Sequence, residues 1–300
     1  MSTAGLALID ASNLELGSVL GQGATSIMYK SKLAGKSYAA KIFKTEVLNS
    51  RLVIAEMITL SKIGAHPNVV EFFGASISKA GLPAILVELL EGGDLERHLS
   101  FQKPGFDLGK QTVQRWSLDI LSALNFLHDR DPIIIHCDVK PANLILTPCH
   151  TTLKLTDFGI AKTVSRDRRL LEQHPANEGS PRYRAPEVLS TYDKAQYTEK
   201  ADVYSAGLVM LLLLTGRRPE NDAEADPHRR PLAAAARRRW HALSDLLERM
   251  RARDPAQRPS AGECAAQLRG LAELEAGRPA RGAGCYAGFA SWRGRRLVVA

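Results

Sequence analysis

The chain has 300 residues, 45% hydrophobic and 24% charged, enough for one large domain or two modest lobes with a substantial core. Its longest apolar stretch, residues 206–214, falls far short of the ~20 residues a bilayer span needs, which excludes a membrane helix. The net charge of +8 is lopsided: residues 1–216 carry 23 Lys+Arg and 22 Asp+Glu, whereas 217–300 carry 17 Arg and 10 acids, so it belongs to a segment and is weak support for a polyanionic partner.

Residues 1–11 read as a short tail; it lacks a basic start and Asp10 interrupts its apolar run, so no secretory leader is expected. From there to about residue 90 the pattern is strand-rich. Short apolar or alternating runs at 14–20, 26–31 and 38–43 are separated by glycine turns. Val53, Met57, Leu60 and Ile63 recur at helical spacing, and this helix stops before Gly64 and Pro67. Two further strands are expected at 69–76 and 84–90. The composition then turns helical. Val113, Trp116, Ile120, Leu121, Leu124 and Leu127 mark an amphipathic helix over 110–130, and 201–215 and 240–251 follow the same period. A strand-rich part meeting a helix-rich part near 88–93 predicts two lobes with a ligand cleft between them. Residues 277–300 are rich in Gly, Ala and Arg without periodicity and are expected to be disordered. Arg interleaved with Tyr286, Phe289 and Trp292 offers a stacking surface for single-stranded nucleic acid, but a flexible tail is the preferred reading. Cys137, Cys149, Cys264 and Cys285 show no C-x-x-C spacing and suggest reduced thiols in an intracellular, most simply cytoplasmic, protein.

Two loops carry the chemistry. Ile135-His136-Cys137-Asp138-Val139-Lys140-Pro141-Ala142-Asn143 and Leu155-Thr156-Asp157-Phe158-Gly159 bracket a short apolar hairpin and bring four polar groups within twenty residues. Phosphoryl transfer from a nucleotide needs such a set. A carboxylate orients a hydroxyl and takes its proton, a cation balances the migrating charge, and two oxygen ligands hold Mg²⁺ on the phosphates.

Both loops resemble the catalytic and metal loops of the eukaryotic protein kinases, in the serine/threonine form, since Lys140 stands two residues beyond Asp138. Gly92-Gly93-Asp94-Leu95 and the run 183–187 resemble most the tyrosine kinase-like group. The resemblance covers about residues 14–272 and implies an α+β, two-lobed fold: a small β-rich N-lobe with one regulatory helix and a larger, mainly α-helical C-lobe. Residues 12–272 would form the kinase domain (N-lobe about 12–90, C-lobe about 91–272), flanked by the tail 1–11 and an Arg/Gly/Ala-rich tail, 273–300. It implies transfer of the γ-phosphoryl group of ATP, with Mg²⁺, to Ser/Thr hydroxyls of protein substrates in intracellular signalling; nucleic acid is disfavoured as a partner. Asp138 would act as base, Lys140 would steady the γ-phosphate, and Asn143 and Asp157 would bind Mg²⁺.

Gly21-Gln22-Gly23-Ala24-Thr25-Ser26-Ile27-Met28 lies between two expected strands, where glycines let backbone amides approach phosphate oxygens. By the same resemblance it is the glycine-rich loop, with Ser26 for the third glycine and Met28 for the usual valine. Lys41 would grip the α- and β-phosphates, held by Glu56 on the helix. Val87 would be the gatekeeper behind the adenine, and Glu88 to Leu90 the hinge bonding it. Met28, Ala39 and Ile145 would sandwich the ring, and Asp94 would reach the ribose. Ser180 would touch Lys140 and Asp138, Asp202 would brace the catalytic loop, and Arg258 would pair with Glu187.

Cys137 departs from the pattern, standing where most kinases have an arginine that receives the activation-loop phosphate. A thiol cannot take that bidentate role, so activity is expected not to depend on such a phosphate. Two alternatives stand beside the kinase. A pseudokinase scaffold is opposed by the presence of Lys41, Asp138, Asn143 and Asp157, and a small-molecule phosphotransferase by Ala185-Pro186-Glu187, the anchor of a peptide platform.

Overall fold

A computed structural model describes residues 8–10, 13–47, 51–78, 80–103, 105–165, 180–189, 198–218 and 240–276. The expectations for most of 1–11, for 277–300 and for the arginines at 229, 230 and 237–239 lie outside the described residues.

Five antiparallel strands, β1 (Glu15–Gln22), β2 (Ser26–Leu33), β3 (Lys36–Phe43), β4 (Phe72–Ile77) and β5 (Pro83–Val87), form one sheet in the order β1-β2-β3-β5-β4. β1 is an edge strand exposed along its length, whereas Ala40, Ala84, Ile85 and Leu86 at the sheet's centre are fully buried. Helix α1 (Arg51–Ile63) packs against β4 and turns Val53, Met57, Leu60 and Ile63 into the core, the same four residues whose spacing predicts it.

The predicted strand 69–76 is shorter. Its first residues leave the sheet because their backbone is bonded elsewhere: Val70 N–H donates to Leu155 O at 2.9 Å, and Leu155 N–H to Asn68 O at 2.8 Å. The predicted strand 84–90 likewise ends at Val87, and residues 88–94 run across to the helical part. Gly92 is demanded there, since a Cβ would stand 2.3 Å from Leu146 O and 2.4 Å from Thr147 O. Leu146 N–H donates to Gly93 O at 2.9 Å, which seats this connection on the helical part.

The second part is built on helices. After α2 (Leu95–Ser100) comes α3 (Lys110–His128), then α4 (Pro186–Leu189), α5 (Lys200–Thr215), α6 (His241–Met250) and α7 (Ala261–Ala276). α5 is apolar on all sides, and twelve of its residues are buried between α3 and α6. On this platform sit two short pairs, β6 (Ile133–Ile135) with β9 (Lys162–Val164) and β7 (Leu144–Leu146) with β8 (Leu153–Leu155). β7–β8 is the hairpin expected between the two chemical loops. The helices α2 and α7 and the strand β9 were not expected from the periodicity. α2 and β9 are too short to show one, and α7 is too rich in Ala and Gly for a clear apolar stripe.

Candidate active site

The catalytic loop hangs from one buried carboxylate. Asp202, near the start of α5, accepts the His136 N–H at 2.8 Å and the Cys137 N–H at 2.9 Å, with His128 Nε2 2.9 Å away. Cys137 has φ +68°, a conformation disfavoured for a side chain with Cβ, and this bond helps hold it there. His136 is fully buried, its Nε2 3.0 Å from Thr156 O and its ring edge-on to Phe158 at 4.9 Å.

The loop so held presents Asp138 to a cluster of donors. Its Oδ2 accepts from Lys140 Nζ at 2.6 Å and Asn143 Nδ2 at 3.0 Å, and its Oδ1 from the Ser180 N–H at 3.0 Å. Lys140 Nζ also donates to Ser180 Oγ at 2.9 Å, so one ammonium spans the carboxylate and a serine forty residues on. The segment carrying Ser180 is anchored in turn. Ser205 Oγ donates to Tyr183 O at 2.7 Å, and the fully buried Arg258 forks onto Glu187 at 2.6 and 2.7 Å.

Across the cleft, Lys41 Nζ donates to Glu56 Oε1 at 2.6 Å and to Asp157 Oδ1 at 2.9 Å. Burial opposes the charge on Lys41, but the two carboxylates outweigh it and hold the ammonium above its ordinary range. Burial also pushes Asp157 upward, yet Lys41 prevails and its carboxyl sits below the usual carboxylate range. Asp157 has φ +64°, a turn that aims its half-exposed carboxylate at the cleft. Asn143 spends its amide nitrogen on Asp138, so its carbonyl oxygen is the atom left for a ligand.

Two hard oxygens from Asn143 and Asp157 suit Mg²⁺, which takes one or two protein ligands and completes its shell with phosphate and water. Among the described residues no cluster of three or more His, Cys, Asp or Glu could hold a metal.

The residues expected at the nucleotide lie on β1, β2 and the turn between them, on β3, β5 and β7, and on the connection 88–94. Gln22 pairs with Ile27 across the turn Gly23-Ala24-Thr25-Ser26, and Met28 lies opposite Lys41. A Cβ on Gly21 would meet nothing within 4 Å, so the fold does not need glycine there; the open space suits an approaching phosphate. Ala39 pairs with Val87 between β3 and β5, and both are buried, whereas Ile145 on β7 is half-buried and bridges to Asp94. Two expected contacts are modified. The Glu88 N–H already donates to Glu71 O at 2.9 Å, and its carboxylate accepts from Lys154 Nζ at 2.7 Å, so neither is left for a ligand. Asp94 caps α2 through the Arg97 N–H at 2.7 Å, so one of its oxygens is committed away from a ribose.

A two-lobed molecule with a carboxylate-lysine pair at the floor of its cleft and a lysine-glutamate pair in its roof defines the class of the protein kinases. Residues 14–268 match the protein kinase domain family. The chain is 31% identical over 273 residues to the serine/threonine-protein kinase STY46 of Arabidopsis thaliana, covering 88% of this chain and 45% of that protein. It is 30% identical over 264 residues to the human mitogen-activated protein kinase kinase kinase 7, covering 85% of this chain and 41% of the relative. With the dual specificity protein kinase shkA of Dictyostelium discoideum it shares 36% identity over 200 residues, 66% of this chain and 36% of the other. The chain belongs to the protein kinase family, and it spans less than half the length of these relatives.

Proposed function

We propose that this chain is an ATP-dependent protein serine/threonine kinase that acts in intracellular signalling, in the cytoplasm, with residues 12–272 as its catalytic domain. The observation that carries this reading is the set of bonds around Asp138: Lys140 at 2.6 Å, Asn143 at 3.0 Å and the Ser180 N–H at 3.0 Å, opposite a formed Lys41–Glu56 pair at 2.6 Å. Asp138 orients the substrate hydroxyl and takes its proton. Lys140, already bridging Asp138 and Ser180, lies where charge moves with the γ-phosphoryl group, and Lys41 holds the α- and β-phosphates. Asn143 and Asp157 would hold Mg²⁺, which would supply positive charge to the phosphates. No helix among the described residues is long and apolar enough to cross a membrane.

The pseudokinase alternative loses its footing, because each of the four groups it would lack is present and within reach of its partner. Phosphoamino-acid analysis of a generic protein substrate, after incubation with labelled ATP and Mg²⁺, tests the assignment. Phosphoserine or phosphothreonine is the expected product. Phosphotyrosine alone would overturn the serine/threonine assignment, and label confined to a small-molecule acceptor would overturn protein phosphorylation.

A further inference from the structure

The glycine-rich turn is held by a residue outside it. Lys44 follows directly on β3, and its ammonium donates to Gly23 O at 2.8 Å and Ala24 O at 3.1 Å. Its own N–H donates to Thr25 O at 2.9 Å, and the Gly23 N–H closes the turn onto Ser26 O at 2.9 Å. Four successive carbonyls, 23 to 26, are thereby engaged. The Ala24 and Thr25 amides have no acceptor among the described residues. Carbonyl oxygens repel phosphate and amides attract it, so a device that fixes the former leaves the latter to face an anion.

We infer that Lys44 is a positioning residue for ATP: it clamps the carbonyls of the glycine-rich turn so that the turn's amides stay aimed at the phosphates. The clamp compensates for Ser26, which stands where a third glycine would let the backbone turn freely and which is itself buried. Lys44 acts through the loop, in contrast to Lys41, which faces the cleft. The inference rests on the kinase reading, since it presupposes a phosphate-bearing nucleotide.

Calorimetric binding of ADP and of adenosine to the full chain and to Lys44→Met and Lys44→Arg separates the roles. The methionine variant should bind ADP about tenfold more weakly, the scale of hydrogen bonds made by a charged donor, and adenosine unchanged. Arginine, which keeps the donors, should restore most of the loss. Amide hydrogen exchange over 21–26 should quicken in Lys44→Met and return in Lys44→Arg. Equal weakening of adenosine and ADP, or unchanged ADP affinity, would overturn the clamp. Weakened ADP binding with unaltered exchange would also overturn it, leaving Lys44 as a remote charge. Should the unmodified chain bind neither adenosine nor ADP, the kinase reading itself falls.

Discussion

Lys41 sits between two carboxylates of unlike exposure, Glu56 buried and Asp157 half-exposed, and their roles separate accordingly. Glu56→Gln leaves Asp157 as the partner, so the fold should survive with a loss on the order of 1–3 kcal/mol, while kcat/KM for ATP falls at least ~10-fold. Chemical denaturation and steady-state kinetics read the two effects. Asp157 makes a signed prediction about acid. Its folded pKa is depressed below 3.8, so its stabilisation is complete above that value and is lost as pH falls through the depressed one. Asp157→Asn should therefore flatten the acid limb of a stability-versus-pH curve and leave the neutral range parallel to the parent. The thiols divide just as sharply. Cys149, in the exposed turn between β7 and β8, is lowered to about 7 by the Thr147 and Thr151 hydroxyls, whereas burial pushes Cys264 up to about 12. Iodoacetamide should label Cys149 with a rate midpoint near pH 7 and leave folded Cys264 unmodified; a midpoint near 9 would contradict the hydroxyl effect. Cys137 packs with Ile133, Ile135 and Val164 in place of a phosphate-binding arginine. Phosphatase treatment should thus leave transfer activity intact, and a required phosphate on Thr163, Ser165 or Ser180 would refute this.

At the scale of elements, the two-lobed architecture was legible in the sequence, and the bounds of single elements were less so. The grouping of Asp138, Lys140, Asn143 and Asp157 could be read because all four lie on two short contiguous loops, 135–143 and 155–159. The Glu56 helix was legible from four apolar residues that all reach the core. What escaped was set by tertiary contact. Residues 69–71 look like strand, but the backbone of β8 captures Val70; α7 is helical because α3 covers it, not because its sequence is strongly amphipathic. The bonds of Glu88 to Glu71 and Lys154, and of Asp94 to the Arg97 N–H, depended on partners the sequence could not place beside them. Lys44 gave no signal at all, since only the β2–β3 register brings it under the glycine turn. The hinge also carries a steric prediction. Gly92→Ala must displace two carbonyls that a Cβ would approach to 2.3 and 2.4 Å. A loss of roughly 1–3 kcal/mol and weakened adenosine binding are expected; an unchanged melting temperature would show that the hinge is not seated on β7.

For the whole molecule, the two parts meet through the cleft and through pairs such as Lys30 with Glu91 at 2.6 Å and Lys154 with Glu88 at 2.7 Å. The first of these is exposed and contributes little, whereas the backbone bonds of Val70 and Asn68 to Leu155 and the Lys41–Asp157 pair also join the two parts. The excess arginine lies toward the C-terminus, much of it beyond α7, while the groups assigned to catalysis lie between residues 41 and 180. A chain ending at Ala276 should therefore retain nucleotide affinity and transfer rate within about twofold, since every residue assigned to the nucleotide or to catalysis precedes that point. Transfer of labelled γ-phosphate to a protein substrate, with Asp138→Asn alongside, is the most direct test of the account. The parent should phosphorylate serine or threonine, and the variant should bind ATP yet turn over at least ~10²-fold more slowly. Equal rates from the two proteins, or ATP binding by the parent without transfer, would contradict it.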